Sequence, residues 1–345
     1  MTQSNSSLIN GYVYTYTQNN STNNSTSKNA QIDTQKVHNS MSRNAQNDTQ
    51  HVRERWEVEF YDKAGVDEFK EQIKTEIPNS MTTRMVDLFC PIFKGMHGII
   101  AAPAKVGKTS MIKELVTGMA SNNPEMFIKV VNINERVVEA VKMRKTFLDF
   151  SNVEVIDSTH DENNINHTNV AFKILEDAIR LVIEGKDVVI FLDSLTKLVR
   201  AFNELAPNGS KILSGGITER ALDLSKSFLT AARPLMRGGS LTIIATALIN
   251  TNSTMDDVIY QHFKALVNME IVLSKVLADG RIYPAMDIHQ SSTREYDSLV
   301  SSQQIEVSQV LLSCESEFRN ILLHMKHVIH MFNEFVCNNA MYELG

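Results

Sequence analysis

The chain has 345 residues, of which 43% are hydrophobic, and a formal net charge of −6. That hydrophobic share supports a packed core, while the mild acidity excludes bulk attraction to nucleic acid or an anionic membrane and leaves room for a local basic site. No apolar run approaches the roughly 20 residues of a membrane span, no secretory signal opens the chain, and three widely spaced cysteines (Cys90, Cys314 and Cys337) without a CxxC pair read as reduced thiols of a cytoplasmic protein.

Residues 1–52 are dominated by Asn, Ser, Thr and Gln, and aliphatic side chains are scarce after Tyr16. Such a segment buries too little apolar surface to offset its ordering entropy, so a disordered tail is expected. It contains an imperfect repeat, Asn29-Ala30-Gln31-Ile32-Asp33-Thr34-Gln35 against Asn44-Ala45-Gln46-Asn47-Asp48-Thr49-Gln50. Low-complexity drift explains this better than a partner-binding motif. The sequon Asn5-Ser6-Ser7 follows from the same composition. Residues 53–81 are charged and amphipathic, a linker too short for a core of its own. Trp56, Val58 and Phe60 alternate there as in a short strand, and 67–74 has a helical pattern.

Residues 82–345 carry the globular pattern. Strands are expected at 97–102 (HGIIAA), 127–133 (FIKVVNI), 153–157, 187–192 (DVVIFL), 240–247 (SLTIIATA), 269–273 and 282–286. Helices are expected at 108–120, 137–148 and 169–184, the last with an apolar stripe through Val170, Phe172, Ile174, Leu175, Ala178 and Val182. After Tyr296 the chain reads as helical, with a stripe at Ile321, Leu322, Met325, Val328 and Phe332. Strands alternating with helices predict an α/β fold, a mostly parallel sheet flanked by helices on both faces.

Ala102-Pro103-Ala104-Lys105-Val106-Gly107-Lys108-Thr109 has the spacing of a P-loop, with Ala in place of the first Gly. It follows a buried strand and opens a helix, the context that gives the motif its meaning. Backbone N–H groups from Ala104 to Ser110 then face phosphate oxygens, and the helix dipole favours negative charge. Gly107 permits close approach, Lys108 reaches the β- and γ-phosphates, and Thr109 offers its hydroxyl to Mg²⁺. Asp193, at the end of DVVIFL, suits the Walker-B role of holding Mg²⁺; its competing role is to cap the next helix. Glu135, at the end of another strand, faces the same crevice and can orient the attacking water. These residues predict a nucleoside triphosphate and Mg²⁺ as ligands and nucleotide hydrolysis as the reaction.

Taken in order, GIIAAPAKVGKT, NINER, DVVIFLDSLTKLVRAFN, GGSLTIIATALI, MDDVIY and RIYPAMDI resemble the RecA-type ATPase domain of bacterial transcription termination factor Rho, over residues 82–299. The resemblance implies phosphate contacts from Lys105, Lys108 and Thr109, a catalytic Glu135 with Arg136 beside it, and Asp193 as the Walker-B aspartate. It implies that Tyr283 stacks on adenine and that Arg281 and Arg294 act across a subunit interface, Arg294 as arginine finger. A homo-oligomeric ring, usually of six subunits, follows from this, with RNA contacts at Lys211 in the loop 207–216 and at Lys264. Single-stranded RNA is the implied partner, RNA polymerase a further one, and transcription termination the implied role.

The departures from the family lie mostly away from ATP. No N-terminal RNA-capturing β-barrel fits before residue 80, and Thr254 stands in a second pore loop where the family has a lysine. Ala265-Leu266-Val267 replaces a glycine-containing stretch, Asn134 replaces an aspartate, and Lys197 and Lys275 replace arginines. Losing one lysine per subunit removes about six charges from a six-membered pore, and backbone charge dominates RNA affinity. The expected function is therefore an RNA-dependent ATPase and translocase of the Rho type. The alternatives are a regulatory subunit that joins Rho rings without translocating, and a motor acting on DNA.

Overall fold

Long apolar runs of β-branched residues have one stable place, a parallel strand covered on both faces. Six strands build the sheet, the inner ones of this kind and β5 a half-buried edge: β3 (His97–Ala102), β4 (Phe127–Glu135), β5 (Val153–Thr159), β6 (Val188–Asp193), β8 (Ser240–Leu248) and β9 (Met269–Val272). Their spatial order is β9-β3-β8-β6-β4-β5, all parallel. The two-residue strands β7 (Arg233–Pro234) and β10 (Ser292–Thr293) add antiparallel pairs to β8 and β9. In this computed structural model the described residues are 4–9, 12–17, 71–78, 80–235, 239–313, 328 and 331.

The pleat divides the core in two. Ile99, Ala101, Val131, Ile133, Ile190, Leu192, Ile243 and Ala245 face one side. They meet α4 (Asn164–Ile183), α5 (Leu195–Glu204), α6 (Glu219–Leu229) and α7 (Thr254–Lys264) there. Ile100, Ala102, Ile128, Val130, Val189, Phe191, Ile244 and Ile271 face the other. They meet α1 (Met81–Phe89), α2 (Lys108–Asn122), α8 (Lys275–Asp279) and α10 (Ser302–Ser313), with α3 (Val137–Thr146) against the same sheet edge. The last helical element is the single turn α9 (Tyr296–Leu299). Odd residues of a strand serve one core and even residues the other, as the two-residue period requires.

Several expectations are corrected. Residues 282–286 are not a strand; only Met286 makes an isolated bridge, to Leu273. Pro284 in the middle of the stretch has no N–H to give a ladder. Glu71, Gln72, Ile73 and Lys74 are not helical, because Ile73 is fully buried and its N–H donates to Ile92 O at 2.8 Å. Tertiary pairing outweighs local propensity there. The helix expected at 169–184 begins five residues earlier: the Asn163 side chain accepts from Asn166 N at 2.9 Å, and the polar first turn hides the start from the apolar period. Within residues 1–52 the described residues form β1 (Ser4–Ile9) and β2 (Tyr12–Thr17), which pair antiparallel. The repeat at 29–50, the alternating Trp56, Val58 and Phe60, and Ile321, Leu322, Met325 and Phe332 of the tail stripe lie outside the described residues. Val328 of that stripe is fully buried against the second core.

One contact sets the position of α2, the helix that follows the P-loop. A Cβ at Gly118 would lie 1.7 Å from the carbonyl oxygen of Thr75, and real atoms do not approach so closely. Gly118→Ala should therefore lower stability by about 2 kcal/mol or more, although Ala gains roughly 1 kcal/mol in helix propensity. Thermal denaturation should show a Tm fall of roughly 4–8 °C. An unchanged or raised Tm would mean that the segment around Thr75 does not pack on α2 in solution.

Candidate functional site

The C-terminal ends of β3, β4 and β6 and the N-terminus of α2 form one crevice. Gly107 precedes α2 with φ +95°, a left-handed conformation that only glycine takes at little cost, and it leaves the first turn's N–H groups without a side-chain cap. Lys105 is also left-handed, at φ +64°. Pro103, Ala104, Lys105, Val106, Gly107, Lys108, Thr109, Ser110 and Leu248 line a cavity of about 200 Å³, a cradle at a helix N-terminus shaped for an anion.

Inside the cradle Lys108 Nζ donates to Asp193 Oδ1 at 2.6 Å and to Thr246 Oγ1 at 3.4 Å. The Thr246 hydroxyl donates to the same carboxylate oxygen at 2.9 Å. Burial pushes the Asp193 carboxyl up, but the Lys108 ammonium, the hydrogen bonds from Lys108 and Thr246, and the more distant Lys197 outweigh it and hold the group below the usual carboxylate range. Asp193 is thus anionic and oriented. The capping role falls instead to Ser194, whose hydroxyl accepts from Lys197 N at 3.3 Å at the start of α5. Thr109 contributes a hydroxyl one residue after Lys108. A hydroxyl and a carboxylate are hard oxygen donors that suit Mg²⁺, which takes its remaining ligands from water and phosphate. Among the described residues no group of three or more His, Cys, Asp and Glu side chains is placed to hold a metal, and Mg²⁺ on a nucleotide needs none.

Glu135 lies on the strand beside β6. Asn132 pairs with Asp193, so Glu135 projects three residues beyond it, roughly 10 Å along the strand. Its Oε2 accepts from Lys197 Nζ at 2.6 Å and its Oε1 from the Arg136 N–H at 3.1 Å. Asn134 sits at a bulge with φ +51°, which Asn and Asp tolerate better than other residues. Its side chain bonds His160 Nδ1. Arg136 is exposed at the start of α3.

A second cavity, of about 270 Å³, adjoins the first along α2 and is lined by Thr82, Val106, Gly107, Ser110, Glu114 and Tyr283 among others. Tyr283 is 55% exposed, and its ring lies 3.6 Å from where a Cβ of Gly107 would be, so it forms the outer wall. Arg281 is exposed two residues before it, with φ +56°.

Arg294 does not join this group. It follows β10 and donates to Ala265 O at 2.7 Å, and its backbone N–H donates to Asn268 O, beside His97. His97 opens β3 and the P-loop follows its other end, roughly 17 Å away along the strand. Lys211 is exposed and pairs with Glu219 at 3.2 Å. Lys264 pairs with Glu270 at 3.0 Å and donates to the Tyr260 hydroxyl at 3.2 Å. A three-residue 3-10 turn, Ser214–Gly216, packs on the first turn of α7, where a Cβ on Gly215 would meet Met255. Lys264 is at the far end of α7, roughly 15 Å away. The two lysines therefore do not share one loop surface. Thr246, Lys197 and Glu114 are site residues that sequence reasoning did not single out as such. Thr246 left a trace as a polar residue in a fully buried apolar strand.

A parallel sheet whose strand ends bring a P-loop lysine onto a buried carboxylate defines a P-loop ATPase of the RecA type. The chain belongs to the ATP synthase alpha/beta family, whose nucleotide-binding domain matches residues 82–293. Transcription termination factor Rho of Cereibacter sphaeroides is 44% identical over 245 residues, covering 70% of this chain and 57% of that protein. Rho of Bacillus subtilis is 44% identical over 229 residues, covering 66% and 53%. The resemblance to Rho drawn from the motifs is borne out, and the chain spans little more than half the length of these curated relatives. A solved structure described as a prototypical ATPase from the type III secretion system of pathogenic bacteria shares the fold, with a TM-score of 0.66 at 22% identity, covering 74% of this chain and 72% of that one. No helix among the described residues is long and apolar enough to cross a membrane.

Proposed function

We propose that this chain is a ring-forming ATPase that hydrolyses ATP·Mg²⁺ at its subunit interfaces and moves on single-stranded RNA, with transcription termination as its role. The Lys108–Asp193 pair in the P-loop cradle carries the nucleotide part. Likeness to Rho supports the RNA part. Lys108 and Thr109 would hold the phosphates and Mg²⁺, Glu135 would orient the attacking water, and Tyr283 would stack on the base. Arg294 is too far from its own P-loop to serve it, which supports a role on the neighbouring subunit's nucleotide; Arg281 lies by Tyr283 at its own pocket, and its role across the interface rests on likeness to Rho. Lys211 would meet RNA from its exposed loop. Lys264, held by Glu270, has the weaker claim.

Turnover should rise on adding poly(C) RNA, and no stimulation by RNA of any sequence would sink the translocase reading. The interface role has its own test. Arg294→Ala should lower turnover about a thousandfold or more, as loss of an arginine finger does. Mixing it with Lys108→Ala subunits should restore activity at interfaces that join an intact pocket to an intact finger, roughly a quarter of them in a random ring. No recovery from rings shown to be mixed would place Arg294 outside catalysis in trans.

A second reading is favoured by the pairing of both candidate RNA lysines with acids and by Thr254, which opens α7 where the resembled family has a lysine. In it the chain enters a ring of a related ATPase and regulates it. Co-purification with that ATPase, together with no turnover of its own, would support this reading.

A further inference from the structure

We infer that Glu114 makes the base pocket selective for a 6-aminopurine over a 6-oxopurine; this rests on the nucleotide reading above. Gly107, Ser110, Met111 and Glu114 follow one face of α2 and all line the second cavity. Glu114 is seven residues from Gly107, so its backbone lies roughly 10 Å along the helix from the phosphate cradle while its side chain lines the same cavity. It is held there. The Ser80 hydroxyl, which caps α1, donates to Glu114 Oε2 at 2.6 Å, and among the described residues this is its one hydrogen bond. Glu114 lines the cavity, and its other carboxylate oxygen has no hydrogen-bond partner among the described residues.

A carboxylate can only accept. An exocyclic amine satisfies it, whereas a carbonyl oxygen in the same place meets a second acceptor and leaves both unpaired. Sites built to bond a polar group of the substrate discriminate strongly against an analogue that lacks it. The apolar walls, Val106, Met111 and Leu273, and the Tyr283 ring accept any flat base. Glu114 is therefore the wall residue whose chemistry separates amine from carbonyl.

Binding should be measured without turnover, by displacing ribose-labelled fluorescent ATP with unlabelled ATP, CTP, GTP and UTP. ATP should displace the label at a concentration about tenfold or more below that of GTP. Glu114→Gln keeps the shape and the bond to Ser80 but offers a donor as well. It should bring ATP and GTP within about threefold of each other, by weakening ATP and strengthening GTP. Ser80→Ala, which frees the carboxylate without removing it, should narrow the preference less. Thermal unfolding checks that both variants are folded. Equal affinity of the unaltered protein for ATP and GTP, or an equal shift of all four nucleotides in Glu114→Gln, would overturn the inference and leave the nucleotide site standing. Failure of the folded protein to bind any of the four would overturn the nucleotide reading itself.

Discussion

Lys108→Met should lower ATP turnover by about 10²–10³ or more and should also make the protein easier to unfold. The first effect follows from removing a preorganised positive charge from the place where the transferred phosphoryl group develops negative charge. The second follows from Asp193. Its side chain is 6% exposed and its main partner is the Lys108 ammonium. Removing one member of a buried pair leaves the other charge uncompensated, at a cost of about 3–5 kcal/mol. In a domain of this size that is a Tm fall of roughly 6–20 °C. The pH dependence carries a sign. In the unaltered protein the Asp193 carboxyl titrates below its unfolded value, so the pair's stability is present above the usual carboxylate range and is lost as pH falls through the depressed value. In the variant burial dominates and pushes the carboxyl up, so the penalty is felt at neutral pH and relieved on acidification. The Tm gap between the two proteins should be wide at pH 7 and shrink toward roughly pH 4. Lys108→Met combined with Asp193→Asn should regain stability and stay inactive. If the single variant turns over ATP normally, the P-loop assignment is wrong; if it unfolds with the unaltered protein at every pH, the ion pair does not exist in solution.

The parts of this molecule legible in its sequence are those where one local signal and the tertiary structure agree. Ile99, Ile100, Val130, Val131, Ile190 and Phe191 sit in continuous apolar runs because a parallel strand between two helical layers has no wet face. The P-loop is legible because phosphate binding needs Gly107 and Lys108 at fixed backbone spacing, independent of the rest of the fold. Pro284 shows the opposite case, an apolar stretch that matches a strand by composition and lacks the donor a ladder needs. Glu71 and Lys74 show another, a helical pattern overridden because Ile73 finds a buried place against Ile92.

Site residues fade from view as their role depends on distant packing. Asp193 ends an obvious strand, but its partner Thr246 lies on another, 53 residues away. Glu114 looks like any helical carboxylate until α2 and α1 are packed together, where it bonds Ser80 and lines the second cavity. Arg294 is the limiting case. Nothing in its neighbourhood marks it as functional, and the fold sets it at the strand ends opposite the P-loop. If its partner is on another copy of the chain, as proposed above, it leaves no local trace, because the physics that selects it operates between molecules.

Glu135→Gln tests the chemistry apart from binding. The substitution is isosteric and removes the charge; its one amide oxygen can replace one of the two acceptor oxygens that Arg136 N–H and Lys197 Nζ bond separately in Glu135. If Glu135 positions and deprotonates the attacking water, turnover at saturating ATP should fall by about 10²–10⁴. ATP affinity should stay within a small factor, since the phosphates are held by the P-loop and Lys108 on other elements. This pattern differs from that of Lys108→Met, which loses binding and turnover together. The Lys197 contact adds a further expectation. At 2.6 Å, with both side chains about a quarter exposed, it is an ion pair of modest strength. The Gln variant should therefore unfold within about 1 kcal/mol of the unaltered protein. A loss of turnover without a loss of stability or binding places Glu135 at the reacting water. A variant that hydrolyses ATP at the normal rate would move the base elsewhere, and a variant that no longer binds ATP would make Glu135 a structural support of the crevice.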